Sequence, residues 1–284
     1  MLTIRQAVWS AVVVMAVAPV PGWSQAKPQP AAAASRTLTY VANAGVLVTV
    51  GETKILIDAL FELTRPNPLY RSPSPETIER MVNGTAPFDG VTLALVTHSD
   101  RDHFDPRVAL RFLEGRREAT LVAPADAVAA MRAAAADWSR VEGRVITVEG
   151  QAGTRAVRQV RGVSVTTLRT RHGSSETPPN VMYLVEANGW RLFHEGDSPG
   201  DVDEYRRFGL DKERIDLALI HFWFPFDATM ATFLKDAMRP AHIALTHLPI
   251  EGEGKYPARI AALGQTFGDL FLLLPGMPTR VLQQ

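Results

Sequence analysis

One short segment of the chain concentrates side chains that bind metal ions. Residues 97–103 have the sequence THSDRDH and follow an apolar run at residues 91–96, which is typical of a buried strand. In an interior of low dielectric, ionisable groups this crowded cost free energy unless a cation offsets their charge. The segment therefore predicts a metal site, and its candidate ligands are His98, Asp100, Asp102 and His103.

Three more candidate ligands share one placement, just beyond the predicted end of a strand. Groups at corresponding ends of several strands converge on one edge of a sheet, which is where ligands gather in sheet-based folds. The chain has no cysteine, so histidine and carboxylate groups must hold any metal. The three residues that we expect to join the site are His172, Asp197 and His247.

The remaining histidines receive no role from the sequence. His221 opens the aromatic run HFWFPF after a predicted strand, so it could line the mouth of a pocket, but core packing explains the run at least as well. We interpret His194 and His242 as structural, because a lone histidine is more often hydrogen-bonded than bound to a metal.

Hydrophobic periodicity predicts the elements that position these residues. Strands dominate the first half of the chain and alternate with helices in the last third, which indicates a sheet core with helices on its outer faces. Predicted strands lie at residues 37–42, 46–50, 54–57, 91–96, 120–122, 163–168, 181–185, 190–193, 217–220, 242–245 and 270–274, and near Val145 and Val157. Predicted helices lie at residues 75–82, 106–114, 125–138, 228–237 and 258–267.

Residues 61–90 interrupt the strand pattern with five prolines. The segment is interpreted as a long connection rather than part of the core, with one helix inside it. Long ordered loops are often lids over a site, and a surface elaboration without substrate contact is the alternative. We expect the segment, including Tyr70, to shape specificity.

The arrangement of candidate ligands resembles the metallo-β-lactamase superfamily. That family's signature is His-x-His-x-Asp-His after a strand, followed by a histidine, a bridging aspartate in a Gly-Asp context and a final histidine. The resemblance runs from about Tyr40 to Leu248 and includes the opening hairpin and the segment FHEGD that ends at Asp197. It implies an α+β fold, the four-layer αββα sandwich, and a centre of two divalent metal ions.

Carried over position by position, the resemblance implies a role for each candidate ligand. His98 and His172 would hold one ion, and Asp197 would bridge it to the second. Asp58, at the end of the hairpin, would support the site. The ligands of the second ion would be Asp102, His103 and His247.

Asp100 departs from the signature, because it stands where the family has its second histidine. A carboxylate still binds Zn(II), and it suits harder ions such as Mn(II) or Fe(II) better than imidazole does. Three outcomes remain open: Asp100 is an altered ligand, only the second ion is retained, or catalysis is lost. Two ions, Zn(II) or alternatively Mn(II) or Fe(II), are the expected cofactors.

The chemistry that the resemblance implies is hydrolysis by a metal-activated hydroxide. Asp100 and Asp102 are the nearest candidates for the proton transfer to the leaving group. An ester, lactone, amide or phosphoester of a small molecule is the expected substrate. A β-lactam is not expected, because family members that hydrolyse β-lactams generally lack the bridging aspartate.

Two other function classes are consistent with parts of the sequence. Gly196-Asp197-Ser198-Pro199-Gly200 matches the Gly-x-Ser-x-Gly elbow of serine hydrolases, with Ser198 as the nucleophile. Pro199 argues against it, because the elbow uses the backbone N–H of the residue after the serine and proline has none. A non-catalytic metal-binding or ligand-binding protein on the same fold is the second alternative, motivated by Asp100.

The N-terminus predicts export. Arg5, the apolar stretch at residues 7–20 and the small-x-small site Ser24-Gln25-Ala26 are typical of a signal peptide at residues 1–26. A Pro- and Ala-rich spacer at 27–36 and a hydrolase domain at 37–284 follow. We expect a periplasmic protein without stable membrane insertion. The formal net charge of zero argues against nucleic acid as a partner, and the oligomeric state is left open.

Overall fold

Two seven-stranded sheets form the centre of the fold. The computed structural model describes residues 35–63, 69–173 and 175–283. The predicted signal peptide and nearly all of the predicted spacer lie outside these residues, as does part of the 61–90 connection. The strands are β1 Arg36–Ala42, β2 Gly45–Val50, β3 Thr53–Ile57, β4 Val91–Leu95, β5 Thr120–Pro124, β6 Val145–Val148, β7 Arg155–Val160, β8 Val163–His172, β9 Ser175–Ala187, β10 Trp190–His194, β11 Leu217–His221, β12 His242–Thr246, β13 Asp269–Leu272 and β14 Arg280–Val281.

Helices connect many of these strands. Among the described residues, no helix is both long enough and apolar enough to cross a lipid bilayer. Short 3₁₀ turns lie at Trp138–Arg140, Glu142–Arg144, Phe224–Phe226 and Ile250–Gly252. The α-helices are α1 Pro75–Asn83, α2 Pro106–Gly115, α3 Ala125–Ala134, α4 Val202–Arg207, α5 Ala228–Thr232, which continues as a π-helix over Phe233–Met238, and α6 Tyr256–Phe267.

The two sheets have similar topologies. The first has the strand order β14-β1-β2-β3-β4-β5-β6 and the second β13-β12-β11-β10-β9-β8-β7. In each, the early strands form antiparallel hairpins, and the later ones pair in parallel. Parallel pairs need crossover connections, and α2, α5 and α6 belong to such crossovers. The carboxyl ends of the parallel strands therefore gather along one edge of each sheet.

Three apolar clusters define four layers. The inner faces of the sheets pack on each other through β-branched residues such as Val48, Ile57 and Val185. The outer face of the first sheet packs on α1, α2 and α3, and that of the second sheet on α4, α5 and α6. The expected αββα sandwich is confirmed.

The expectation that residues 61–90 form a long connection outside the core is wrong. Phe61 and Met81 are fully buried, and α1 packs against α2 in the outer layer. The spacing of Ile78, Met81 and Val82 places three apolar side chains on one helix face, which explains the burial. Tyr70, from the same segment, instead lines a cavity at the strand ends.

Most predicted elements are present with shifted ends. The helix predicted at 125–138 ends at Ala134, and Trp138 belongs to a separate 3₁₀ turn. The helix predicted at 228–237 is present but changes to π geometry at Phe233. The strand predicted at 181–185 extends from Ser175 to Ala187. The 3₁₀ turns, the six-residue α4 and the two-residue β14 were not predicted, because segments this short show no periodicity.

Candidate metal centre

The candidate ligands lie where strands of both sheets end. Residues 97–103 follow β4 of the first sheet, and Asp105 then caps α2 by accepting hydrogen bonds from the backbone N–H groups of Arg107 and Val108. In the second sheet, His172 closes β8 at a register irregularity, and such bulges re-aim side chains. Asp197 follows β10 and His247 follows β12. The structure thus brings together all seven residues that the sequence predicts for the site.

Asp197 lies at the centre of the cluster. Its Oδ2 atom is 3.3 Å from Nε2 of both His172 and His247 and 3.7 Å from Nε2 of His98. Its Oδ1 atom is 3.3 Å from Nε2 of His103. Asp102 Oδ2 lies 3.4 Å from Nε2 of His247, on the same side as His103. The carboxylate of Asp197 therefore faces both groups of ligands, as a bridging residue must.

These separations suit metal ligands better than hydrogen bonds. Nε2 of His98, His172 and His247 and Oδ1 of Asp197 are buried, and none has a hydrogen-bond partner in the described part of the chain. Two donors that bind one tetrahedral ion at about 2.0–2.2 Å lie about 3.3–3.6 Å apart. Four buried nitrogen and oxygen atoms without hydrogen-bond partners, at nearly this spacing, would cost free energy in an interior without a cation. The donor set therefore fits metal ions, with His98, His172 and Asp197 in one group and Asp102, His103 and His247 in another.

Asp58 orients two of the histidines. Its Oδ2 atom accepts hydrogen bonds from His103 Nδ1 at 3.0 Å and from the hydroxyl of Thr97 at 2.6 Å. Because the Thr97 hydroxyl donates to Asp58, it must accept from His98 Nδ1, 2.9 Å away. In the neutral form that binds a metal, both imidazoles therefore carry their proton on Nδ1 and present a lone pair on Nε2 to the centre. Asp58 is fully buried, consistent with the supporting role that the resemblance implies.

Backbone conformations around the centre are unusual. Asn43, Asp58 and His247 have φ values of 48°, 47° and 60°, in the left-handed region that non-glycine residues rarely adopt. Asn43 uses this position to donate its side-chain amide to Asp102 Oδ2 at 3.1 Å. Tyr70 packs its ring edge-on against His247, with the centroids 4.3 Å apart. Strain of this kind collects where side chains must be aimed accurately.

Asp100 occupies the rim of the centre. Its side chain is 43% exposed, and Oδ2 lies 3.3 Å from Nε2 of His172 and 3.9 Å from Nε2 of His98. It thus approaches the two histidines that the resemblance assigns to the first ion. Partial burial raises the pKa of this carboxyl.

The charges within the centre shift its proton affinities strongly. Burial lowers the pKa of His98 to about 3. Burial also disfavours protonation of His103 and His247, but nearby carboxylates, above all Asp197, outweigh it and raise these pKa values to about 9 and about 10. Burial would raise the pKa of the Asp197 and Asp102 carboxyls, yet the histidines hold the first well below its usual range and the second at about 2. Without metal, protons on His103 and His247 balance the carboxylates.

His221 lines the cavity, one of the two positions that the sequence interpretation considered for it, but it was not predicted as a metal ligand. It ends β11, and its Nδ1 lies 2.6 Å from Oε1 of the fully buried Glu195. Its Nε2 lies 3.6 Å from Asp197 Oδ1. The signal was the placement already used for the other ligands, the end of a strand, but the aromatic residues that follow favoured packing as the explanation.

The other two unassigned histidines use both ring nitrogens elsewhere. His194 Nε2 donates to the carbonyl of Ala44, and its Nδ1 accepts from the backbone N–H of Gly196. His242 bonds Asp269 through Nδ1 and the carbonyl of Gln283 through Nε2. Neither histidine has a ring nitrogen free to bind a metal, which agrees with the interpretation of both as structural residues.

Ser198 is placed differently from a catalytic serine. Its hydroxyl lies 2.7 Å from the Tyr205 hydroxyl and 3.4 Å from Glu195 Oε2, and it accepts a hydrogen bond from the backbone N–H of Gly200. The residue is 3% exposed. A nucleophilic serine needs an adjacent base that takes its proton, usually a histidine, whereas the partners of Ser198 are a phenol and a buried glutamate.

A cavity of about 630 Å³ opens over the centre. Its volume is in the range of small-molecule sites. Asp197, His172, His221 and His247 form part of its lining, and the other residues that line it are Tyr70, Arg171, Gly173, Ser198, Pro199, Phe222 and Trp223.

Solved structures with this fold include proteins from bacteria and from an archaeon. Igni18, a metallo hydrolase from Ignicoccus hospitalis, is 17% identical with a TM-score of 0.57, covering 88% of this chain and 99% of that one. YhfI from Bacillus subtilis, a metallo-β-lactamase fold protein, is 15% identical with a TM-score of 0.57, covering 87% and 99%. CmlA from Streptomyces venezuelae, a diiron β-hydroxylase, is 15% identical with a TM-score of 0.56, covering 91% and 55%. At such low identity the likeness shows the fold alone.

The sequence itself also matches a family. The profile described as "Beta-lactamase superfamily domain" matches residues 37–221, more than half of the chain, which include all the candidate ligands except His247. A search of curated protein sequences gives no significant match. With the profile, the sandwich and the ligand arrangement in agreement, the chain belongs to the metallo-β-lactamase superfamily.

Proposed function

We propose that the protein is a hydrolase that uses two divalent metal ions to cleave an ester, lactone, amide or phosphoester bond in a small molecule. The observation that carries the proposal is the set of buried, unpaired histidine and aspartate donors that converge on Asp197 at the floor of a cavity. Igni18, which has the same fold, is a metallo hydrolase by name, and this supports the same reaction class. Zn(II) suits the histidine-rich donor set, and Mn(II) or Fe(II) suits the carboxylate of Asp100.

Bound divalent ions supply Lewis acidity and lower the pKa of water. The chain itself contributes groups that hold protons and orient the substrate. Asp102 remains ionised, because its pKa is about 2, whereas the pKa of the half-exposed Asp100 is raised. If Asp100 does not bind the first ion, it is therefore the better carrier of a proton toward the leaving group.

The cavity walls favour a substrate that combines apolar and anionic parts. Trp223 and Phe222 offer apolar surface, and Arg171 offers a cation. Tyr70 contributes a hydroxyl whose pKa is raised to about 12 by burial and by the nearby carboxylates, so it stays protonated and can donate a hydrogen bond. These groups support a phosphoester or a carboxylate-bearing ester over a neutral substrate.

Metal analysis and a hydrolysis panel test the proposal together. The purified mature protein should contain about two metal ions per chain and hydrolyse at least one of the ester, lactone, amide or phosphodiester substrates with added Zn(II), Mn(II) or Fe(II). Asp197→Ala or His103→Ala should abolish turnover. A protein that neither contains nor takes up metal would overturn the proposal, and metal binding without turnover would favour the non-catalytic alternative.

Ser198→Ala separates the proposed reaction from a serine hydrolase. Since the Ser198 hydroxyl bonds Tyr205 and Glu195 rather than a catalytic base, its removal should change turnover far less than the loss of Asp197. Abolished turnover in Ser198→Ala with full metal content would favour the serine mechanism.

We further propose that the protein is exported to the periplasm and cleaved after Ala26, on the evidence of the N-terminal sequence. N-terminal sequencing of the protein from the periplasmic fraction tests this. A protein that starts at Met1 in the cytoplasm would contradict it.

A further inference from the structure

The metal centre has one more imidazole within reach than the family signature assigns. His221 lies at the end of β11, between β10, which leads to Asp197, and β12, which leads to His247. Its ring centroid is 4.8 Å from that of His247. Donor atoms of Asp197, His221 and His247 all lie within 4.8 Å of one another.

Glu195 fixes the orientation of this ring. Its Oε1 atom accepts hydrogen bonds from both the backbone N–H and Nδ1–H of His221, and its Oε2 accepts from the Tyr205 hydroxyl at 2.7 Å. With the proton on Nδ1, the lone pair of Nε2 points into the centre. A buried carboxylate behind an imidazole is the usual support of a metal-ligating histidine.

The space between Nε2 of His221 and Asp197 points to a cation rather than a shared proton. The atoms are 3.6 Å apart, too far for a good hydrogen bond, and Oδ1 of Asp197 has no hydrogen-bond partner among the described residues. Two lone pairs facing each other at this distance repel unless a positive charge lies between them. The same spacing suits two ligands of one ion.

We propose that His221 binds the second metal ion through Nε2, together with Asp102, His103, His247 and the bridging Asp197. This inference rests on the proposed metal centre but not on the hydrolytic reaction. It also accounts for Asp100: the centre loses one imidazole at position 100 and gains one at position 221. The first ion then has an extra carboxylate and the second an extra imidazole, so the two sites differ in their preference for hard and soft ions.

The test compares His221→Asn with wild type and with His242→Asn. The asparagine amide can occupy the position of Nδ1 and keep the bond to Glu195, but it lacks a donor at the position of Nε2. His242→Asn is the matched control, since that histidine bonds Asp269 and Gln283, away from the centre. Zn(II) affinity is measured by chelator competition, and the ligand field by the visible spectrum of the Co(II) form.

His221→Asn should lower the affinity for one of the two ions at least about 10-fold and change the Co(II) spectrum, while His242→Asn changes neither. Glu195→Gln should lower the affinity for the same ion by about 10- to 100-fold, as the loss of an orienting partner does. Wild-type affinity and an unchanged spectrum in His221→Asn would overturn the proposal and leave the hydrolase intact. A wild-type protein that binds no metal would overturn both.

A measurement on the wild-type protein avoids dependence on the folding of the variant. In the Co(II) form with ¹⁵N-labelled histidine rings, five histidines should show contact-shifted signals. Four such signals would overturn the role of His221.

Discussion

At the residue scale, one buried carboxylate determines how two candidate ligands are presented. Asp58 accepts a hydrogen bond from His103 directly, and the Thr97 hydroxyl links it to His98. Both oxygens of the Asp58 carboxylate are therefore hydrogen-bonded. The sequence placed Asp58 near the site only through the family resemblance. The relay through a threonine could not be predicted, because it depends on a side-chain rotamer that tertiary packing sets.

Asp58→Asn should weaken metal binding without leaving a cavity in the core. An amide offers one acceptor oxygen, so its NH₂ group would face either His103 Nδ1–H or the backbone N–H of Thr97, both donors. We expect Zn(II) affinity to fall about 10- to 100-fold in chelator competition. Asp89→Asn, at a surface ion pair with Lys54, is the control and should bind like wild type. Equal affinities in both variants would contradict the orienting role.

Metal uptake should release protons at neutral pH. In the metal-free protein the pKa values of His103 and His247 are raised to about 9 and about 10, so both are protonated at pH 7. Each must lose its proton to bind metal, so about two protons should leave as the centre fills. Affinity should therefore increase as pH rises toward 9. Calorimetry in two buffers of different ionisation enthalpy measures the release, and identical apparent enthalpies would disprove it.

The same shifts predict how pH affects the metal-free fold. Groups with a raised pKa stabilise the protein fully below the unfolded value near 6.5 and lose that effect as pH rises through about 9 to 10. Asp102, with its pKa lowered to about 2, stabilises above its ordinary value of 3.8 and stops doing so as pH falls toward 2. His98, with its pKa lowered to about 3, costs stability as pH falls below 6.5, because the unfolded chain then binds a proton that the folded protein does not. Urea unfolding of the metal-free protein should therefore show its highest stability near pH 6.5. A maximum above pH 9 would contradict this.

At the element scale, the strand ends were predictable and the turn that follows β10 was not. Apolar runs locate β4, β8, β10 and β12 within a few residues, and candidate ligands lie at the end of β8 or just after the other three strands. Gly196 has a φ of +61°, and a Cβ there would lie 2.7 Å from Cβ of Thr97 and also meet Asn180 Oδ1. Close approach between two sheets is a tertiary feature, so the sequence shows only a glycine.

Gly196→Ala should lower stability by more than the positive φ at this position alone explains. Gly189 also has a positive φ, +73°, but a Cβ there meets nothing within 4 Å, so Gly189→Ala isolates the backbone cost, about 1–2 kcal/mol. Gly196→Ala should lose more stability than this in urea unfolding, because the turn must also move away from Thr97. Metal content should fall in Gly196→Ala alone. Equal effects of the two changes would contradict the steric explanation.

At the scale of the whole molecule, the candidate metal centre draws its residues from both sheets. His98, Asp102 and His103 follow β4 of the first sheet, whereas Asp197 and His247 follow strands of the second. The sandwich itself was predictable, since its pattern of elements and ligands matches the family. The shape of the cavity opening, where Tyr70 lies, could not be predicted, because it depends on loops rather than on periodic elements.

Chelation should therefore destabilise the entire sandwich. An ion at about 100 times its dissociation constant adds about 2.7 kcal/mol to the free energy of unfolding, which corresponds to roughly 5–10 °C in Tm for a domain of this size. Scanning calorimetry should show this decrease after treatment with EDTA, and added Zn(II) should reverse it. Asp197→Ala, without the bridging carboxylate, should respond far less. A wild-type Tm that does not change with EDTA would contradict the cross-link between the sheets.

The order of the strands also sets when the centre can form during synthesis. The first candidate ligands lie at residues 98–103, but His247 comes 144 residues after the last of them, and β14 completes the first sheet only at Arg280–Val281 by pairing with β1. A partly synthesised chain therefore holds only isolated ligands of low affinity. Filling of the candidate centre would thus require almost the whole polypeptide and the docking of both halves.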